Sequence, residues 1–243
     1  MKDHQHDLYV GAPRNASHRK TVEVFTRKLK KNGTLKGVRL LDVGCGDGAF
    51  TVVLAEGFQE VCGIDVQESY LAHFREAVQG DNRYSIANMS ASQMTFPAEH
   101  FDSIVTIETL EHVEDLPGTA AEICRVLKRG GELLITVPNR WFPFENHGMR
   151  IGKLSVGRVP LLPYFPWLHR KLAQARVFTV RDLDSLFAAR LKRTAVDYAW
   201  PTFEAGGNPF QPLFRPLYGL MRRMEESPLR MFGVSVVVRY VKE

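Results

Sequence analysis

Between residues 38 and 139 the apolar positions gather into short runs: Val38–Val43, Glu60–Asp65, Arg83–Ala87, Phe101–Ile107 and Glu132–Val137. Runs of that length, rich in Val, Ile and Leu, read as strands covered on both faces. The stretches between them have helical spacing and end at Gly57, Gly80 and the Gly130-Gly131 pair, where glycine suits the left-handed residue that closes a helix. Strand and helix in alternation require right-handed crossovers, and so predict an α/β protein with a doubly wound, mostly parallel sheet. Upstream, residues 15–32 carry Val22, Phe25 and Leu29 on one stripe with lysines opposite, an amphipathic helix stopped at Gly33. Downstream, 140–178 has no period and is crowded with Pro, Trp, Phe and Arg. A linker carries few such groups, so this segment is expected to fold over the sheet as an insertion. Thr179 then caps a helix, with Asp182 three residues on, and 194–200 and 234–241 read as two late strands.

The 243 residues are 44% hydrophobic and 24% charged, which excludes disordered, collagen-like and coiled-coil classes. They are read as one domain: a helical cap over 1–37, a core over 38–139, a lid over 140–178 and C-terminal strands and helices over 179–243. Cys45, Cys62 and Cys124 are odd in number and widely spaced, which fits neither a disulfide framework nor a zinc ribbon. The start MKDHQHDLYV has no apolar segment, and the expected location is the cytoplasm. Charge is divided along the chain. Residues 40–139 carry 5 Lys and Arg against 16 Asp and Glu, whereas 1–39 carry 10 against 3 and 140–214 carry 11 against 5. Basic flanks either neutralise the acidic centre or face an anionic partner, with the inner membrane surface favoured over nucleic acid because no RNA-binding module is present.

The chemistry starts at Leu40-Leu41-Asp42-Val43-Gly44-Cys45-Gly46-Asp47-Gly48-Ala49-Phe50, where a buried strand enters a glycine-dense turn that opens a helix. Asp65 ends the second strand nineteen residues beyond Gly46, placed to accept two ribose hydroxyls. As Gly44-x-Gly46-x-x-Ala49 the turn passes as a dinucleotide fingerprint, which keeps an NAD(P)-binding oxidoreductase as an alternative. Asp42 and Asp47 oppose it, because carboxylates repel a pyrophosphate and welcome a cationic ligand. S-adenosylmethionine, with an ammonium, a sulfonium, a ribose and an adenine, has that chemistry. A module that binds the cofactor without turning it over is the second alternative.

Residues 40–139 resemble the class I S-adenosylmethionine-dependent methyltransferases of Rossmann-like fold, of the small-molecule group that includes the ubiquinone-pathway O-methyltransferases. The resemblance rests on LLDVGCGDGAFT, GIDV, FDSIVTIETLEHVED and EICRVLKRGGELLITVPN. It implies a seven-stranded α/β/α sandwich in which strand 234–241 lies antiparallel beside the fifth strand. It implies that Asp42, Gly44, Cys45 and Gly46 border the methionine part of the cofactor, that Asp65 holds the ribose and that Val66 lies by the adenine. Asn88, Met89 and Ser90 stand at the adenine edge, where Asn88 replaces the family's frequent aspartate, and Ile107 and Glu108 border the methyl group.

Methyl transfer to a hydroxyl also benefits from a base or a metal. Glu108, Glu111 and His112 are spaced to converge on one face of a helical turn, and His147 follows in PNRWFPFENH. The set resembles the Mg²⁺ or Mn²⁺ site of the ubiquinone-pathway and small-RNA methyltransferases. A metal site of Glu108, Glu111, His112 and His147, a metal-free base role for His112 or His147 beside Glu111, and a purely structural role all stay open. Trp141, Phe142, Phe144, Tyr164, Phe165 and Trp167 either line a pocket for a small-molecule or lipid-like acceptor or form ordinary lid core. Pro212–Phe232 alternates apolar residues with Arg, the pattern of a helix lying on a membrane or docked on the sheet.

Overall fold

The computed structural model describes residues 22, 25–26, 29–30, 33–145, 149–151, 154–156, 159–173, 175–187, 189–200 and 223–243. Most of the predicted helix 15–32, His147, and residues 212–222 of the predicted C-terminal helix lie outside them. The core alternates as predicted: β1 (Arg39–Val43), α1 (Ala49–Leu54), β2 (Glu60–Asp65), α2 (Glu68–Ala77), β3 (Tyr84–Asn88), β4 (Phe101–Ile107), α3 (Leu116–Val126) and β5 (Leu127–Pro138).

The lid is built of short pieces: β6 (Phe144–Glu145), β7 (Met149–Ile151), β8 (Leu154–Val156), β9 (Val159–Pro160) and α4 (Pro166–Leu172). β6 pairs with β9 and β7 with β8, both antiparallel. Its two ends are joined by backbone bonds. Asn139 bridges Phe178, with the Phe178 N–H donating to Pro138 O at 2.9 Å and the Arg140 N–H donating to Phe178 O at 2.9 Å. α5 (Val180–Phe187) then opens on a reciprocal cap. The Asp182 N–H donates to Thr179 Oγ1 at 3.2 Å, and the Thr179 N–H donates to Asp182 Oδ2 at 2.7 Å. β10 (Leu191–Ala199) and β11 (Ser235–Lys242) finish the chain.

The seven strands run in the order β10-β11-β5-β4-β1-β2-β3. β11 is antiparallel to both β5 and β10, and the remaining pairs are parallel. Neighbouring residues feed opposite faces: Leu41, Ile104, Leu133 and Val238 pack with α3 and α5, while Leu40, Val105, Leu134 and Val237 pack with α1 and Leu29. That two-sided burial is why the strands read as continuous apolar runs. One boundary differs. The helix expected to run to Gly130-Gly131 stops at Val126, and β5 starts at once. The register with β4 jumps from Phe101–Leu127 to Ser103–Glu132, so residues 128–131 loop out, with Gly130 at φ 73°.

Candidate active site

The glycine turn is locked from two sides. Gly44, Gly46 and Gly48 have φ of 77°, 53° and 77°, in the left-handed region. A Cβ on Gly44 would lie 2.2 Å from Thr109 Cγ2, and one on Gly48 2.1 Å from the Phe74 ring. The turn therefore needs glycine for packing against the exit of β4 and against α2, besides its backbone shape. The Gly44 and Cys45 N–H groups both donate to Ile64 O, at 2.8 and 3.0 Å, which ties the turn to β2.

Asp65 faces this turn from β2. Its Oδ2 accepts the Gly46 N–H at 3.1 Å and its Oδ1 accepts the Gln67 N–H at 2.9 Å. Each carboxylate oxygen has further lone pairs for a diol. Val66, next along, is exposed, and Asn88 Nδ2 donates to Val66 O at 3.1 Å, which commits the amide nitrogen and leaves the amide oxygen as the acceptor. The Met89 N–H donates to Asp65 O at 3.0 Å, and Ser90 Oγ lies 3.1 Å from Ser92 Oγ. Asp65, Val66, Asn88 and Met89 thus gather at the carboxyl ends of β2 and β3, with exposed Ser90 just beyond.

Two predicted positions differ in character from the expectation. Asp42 does not rim the turn but lies beneath it, 2% exposed, with Oδ2 accepting Thr51 Oγ1–H at 2.6 Å and Oδ1 buried with no hydrogen-bond partner. Burial first, then the Asp65 charge, outweigh the Thr51 bond and push its carboxyl up to about 7. Cys45 is a core residue: its side chain packs with Leu71 and Phe74, and its carbonyl accepts the Gly48 N–H at 3.0 Å. The backbone of Cys45 is spent inside the turn and its thiol is buried against Gly63 of β2. Asp47 Oδ1 accepts the Ala49 N–H at 3.1 Å, so this carboxylate supports the start of α1. The orphaned Asp42 oxygen beneath a glycine cradle fits a cofactor that brings an ammonium and no phosphate.

Beyond β4 the expected helical face does not form. Glu108 has φ 49°, and the His112 N–H closes a turn on Thr109 O at 2.9 Å, while α3 begins only at Leu116. Glu108, Glu111 and His112 therefore sit on a kinked turn. Glu108 Oε1 accepts the Thr136 hydroxyl at 3.1 Å. Glu111 is 2% exposed, and burial together with the Glu108 charge holds its carboxyl well above the usual range. His112 Nε2 lies 3.8 Å from Glu111 Oε1. Among the described residues no group of three or more His, Cys, Asp or Glu is placed to hold a metal ion, so Glu108, Glu111 and His112 do not assemble one themselves. His147, the fourth residue of that set, lies outside the described residues.

Residues 41–135 match the family described as "Methyltransferase domain". That stretch is similar to the family over its whole length. A ubiquinone biosynthesis O-methyltransferase of Aromatoleum aromaticum is 32% identical over 118 residues, 47% of this chain and 50% of the relative. The chain spans about half the length of the curated relatives it matches. An S-adenosylmethionine-dependent methyltransferase of Mesorhizobium loti superposes with a TM-score of 0.60 at 20% identity, over 96% of this chain and all of that one. The N-methyltransferase NodS of Bradyrhizobium japonicum, solved with S-adenosylhomocysteine, gives 0.57 at 16% identity, over 95% and 89%. Those two likenesses are of fold: the chain has a Rossmann-like, mostly parallel sheet.

Several residues that shape this region escaped the sequence. Thr109 fills the space that Gly44 leaves, and its hydroxyl donates to Ile107 O at 3.1 Å. Asn139 is buried at the lid root; Nδ2 donates to Met231 O and Gly233 O, both at 2.7 Å, and Oδ1 accepts the Trp141 N–H at 3.1 Å. Arg176, on the irregular segment returning from the lid, binds the carbonyls of Val113 and Glu114, and its N–H donates to Glu111 O at 3.2 Å. In the lid, Trp141, Phe144, Phe165 and Trp167 are exposed, Trp167 by 71%, so these four do not form lid core. Tyr164 is half-buried and its hydroxyl donates to Trp141 O at 2.8 Å, while Phe142 packs on Phe144 with ring centroids 5.7 Å apart.

Proposed function

We propose that the protein transfers the methyl group of S-adenosylmethionine to an oxygen of a small-molecule or lipid-like acceptor. The observation that carries this reading is the acidic glycine turn, with an unbonded Asp42 oxygen below it and Asp65 facing it. The name borne by the curated relatives favours a hydroxyl acceptor. Once bound, the cofactor supplies a methyl group already activated on a sulfonium, so the chain's task is alignment and exclusion of water. Asp65 takes the ribose hydroxyls, Asn88 Oδ1 the adenine amino group, and Val66 the face of the base. Gly44 and Gly46 admit the amino-acid part, and Ile107 and Glu108 border the reacting carbon. His112, or His147 in the same task, accepts the acceptor's proton beside the buried Glu111 carboxyl.

The lid, residues 140–178, would receive the acceptor. Its exposed Trp141, Phe144, Leu161, Phe165 and Trp167, with Leu229 and Met231 tied to it through Asn139, support contact with a membrane from the cytoplasmic side. The exposed cations Lys171, Arg176 and Arg230 favour an anionic lipid surface. Among the described residues no helix is long and apolar enough to cross a membrane. The test is S-adenosylhomocysteine release with phenolic amphiphiles as acceptors, followed for His112→Ala. We expect kcat to drop by about a hundredfold or more with cofactor affinity kept; unchanged kcat would remove His112 from the chemistry. Co-sedimentation with anionic vesicles, weakened by salt, is the companion expectation, and no sedimentation at low salt contradicts the membrane reading.

A further inference from the structure

A second cavity, of about 270 Å³, opens on the face of the sheet beneath Leu29 and Lys30. Leu29, Leu35, Leu54 and Leu134 wall one part of it, and Arg239 of β11 lines the rest with Lys30, Thr34 and Glu56. It falls just below the roughly 300–1,000 Å³ usual for ligand pockets, a size for a small molecule.

Arg239 is an unusual residue for the middle of a sheet. It is 7% exposed, and its Nη2 donates to Leu29 O at 3.1 Å and to Gly33 O, clasping the chain where it leaves the N-terminal helical residues. Nη1 stands 3.7 Å from Glu132 Oε2, beyond hydrogen-bond range, and Nε is buried with no partner. The facing Glu132 Oε2 is likewise unbonded. Burial pulls the Arg239 pKa down more than Glu132 raises it, so the carboxylate does not compensate the buried charge. Buried cations are ordinarily paired and bonded. The other charged groups at the cavity are Lys30 and Glu56, joined at 2.9 Å. With Thr34 and Arg239 they make the polar half of the lining, and Arg239 is the buried cation among them.

We propose that this cavity is a binding site for a small monocarboxylate with a compact apolar body, its head group on Arg239 and its body against the leucines. Such a ligand completes the bonding of the guanidinium that clasps Leu29 and Gly33, and so tightens the N-terminal helical residues onto the sheet. The site is separate from the methyl-transfer reading and stands or falls without it.

Hexanoate is the probe, titrated by calorimetry and by thermal unfolding into the full chain saturated with S-adenosylhomocysteine, so that the cofactor's own carboxylate subsite is filled. Hexanamide and hexanol are the controls. The expected result is saturable binding and a rise in Tm with hexanoate, at least tenfold weaker with hexanamide and absent with hexanol. Arg239→Gln should abolish it, and so should Leu54→Phe, which fills the chamber and keeps the guanidinium. Equal response to hexanoate and hexanamide, no saturable binding of hexanoate, or binding untouched in Leu54→Phe each overturns the proposal, whether or not Arg239→Gln folds.

Discussion

The two sides of the site are built by different means. On the side proposed to take the cofactor the polar atoms are spent within the chain: Asp65 on Gly46 and Gln67, Asp42 on Thr51, Asp47 on Ala49, Asn88 on Val66. Glycines there are enforced by Thr109 and Phe74, which occupy the space a side chain would need. On the lid side the large groups point outward, and order comes from the root, through Asn139, Arg176 and the Tyr164 hydroxyl. The cofactor half is shaped by backbone and is intolerant of volume. The lid half presents interchangeable apolar surface on short elements. A shared cofactor and a variable acceptor call for that division.

Substitutions should separate the halves sharply. Gly44→Ala introduces both a strained φ and a clash with Thr109, and should cost about 4 kcal/mol of stability with loss of cofactor binding. Urea unfolding measures the first and calorimetry the second, and Thr109→Gly in the same chain should restore part of both. Asp42 comes next. Its folded-state pKa is about 7 against an ordinary value of 3.8, so the folded protein keeps a proton that the unfolded chain releases. Stability without cofactor should therefore fall as pH rises from about 4 to 7 and level off above, by about 2–4 kcal/mol. Unfolding across that range should lose this slope in Asp42→Asn. Asp65→Ala removes charge-assisted bonds to the ribose and should weaken S-adenosylhomocysteine binding by about 1–3 kcal/mol, read by calorimetry. The smallest effect belongs to the lid. Trp167→Ala should leave stability within about 0.5 kcal/mol and cofactor affinity unchanged, while reducing vesicle binding.

The legible parts of the sequence are those where one residue type has one physical reason. Strands buried on both faces announce themselves as apolar runs, and the Thr179–Asp182 cap needs only local chemistry. The turn at 44–48 was readable because only glycine tolerates its backbone. Gly130-Gly131 misled because glycine serves a bulge as readily as a helix end, and the sequence does not say which. The turn at 108–112 was read as helix because helical spacing was assumed; Asp115, whose Oδ1 accepts the Gly118 N–H at 2.9 Å, marks the true start of α3. With Pro117 in the first turn, that cap was a usable signal. The depth of Asp42 was not legible, since its burial depends on α1 folding back across it. Thr109, Asn139, Arg176 and Arg239 were hidden, because each acts through residues distant in the chain.

The central claim is that the acidic turn accepts a cationic, phosphate-free cofactor. Titration of one preparation with S-adenosylhomocysteine and, separately, with NADPH tests it most directly. The account predicts saturable binding of S-adenosylhomocysteine that weakens by about five- to 150-fold in Asp65→Ala, with no binding of NADPH. Saturable NADPH binding sensitive to the same substitution, with none of S-adenosylhomocysteine, would contradict it.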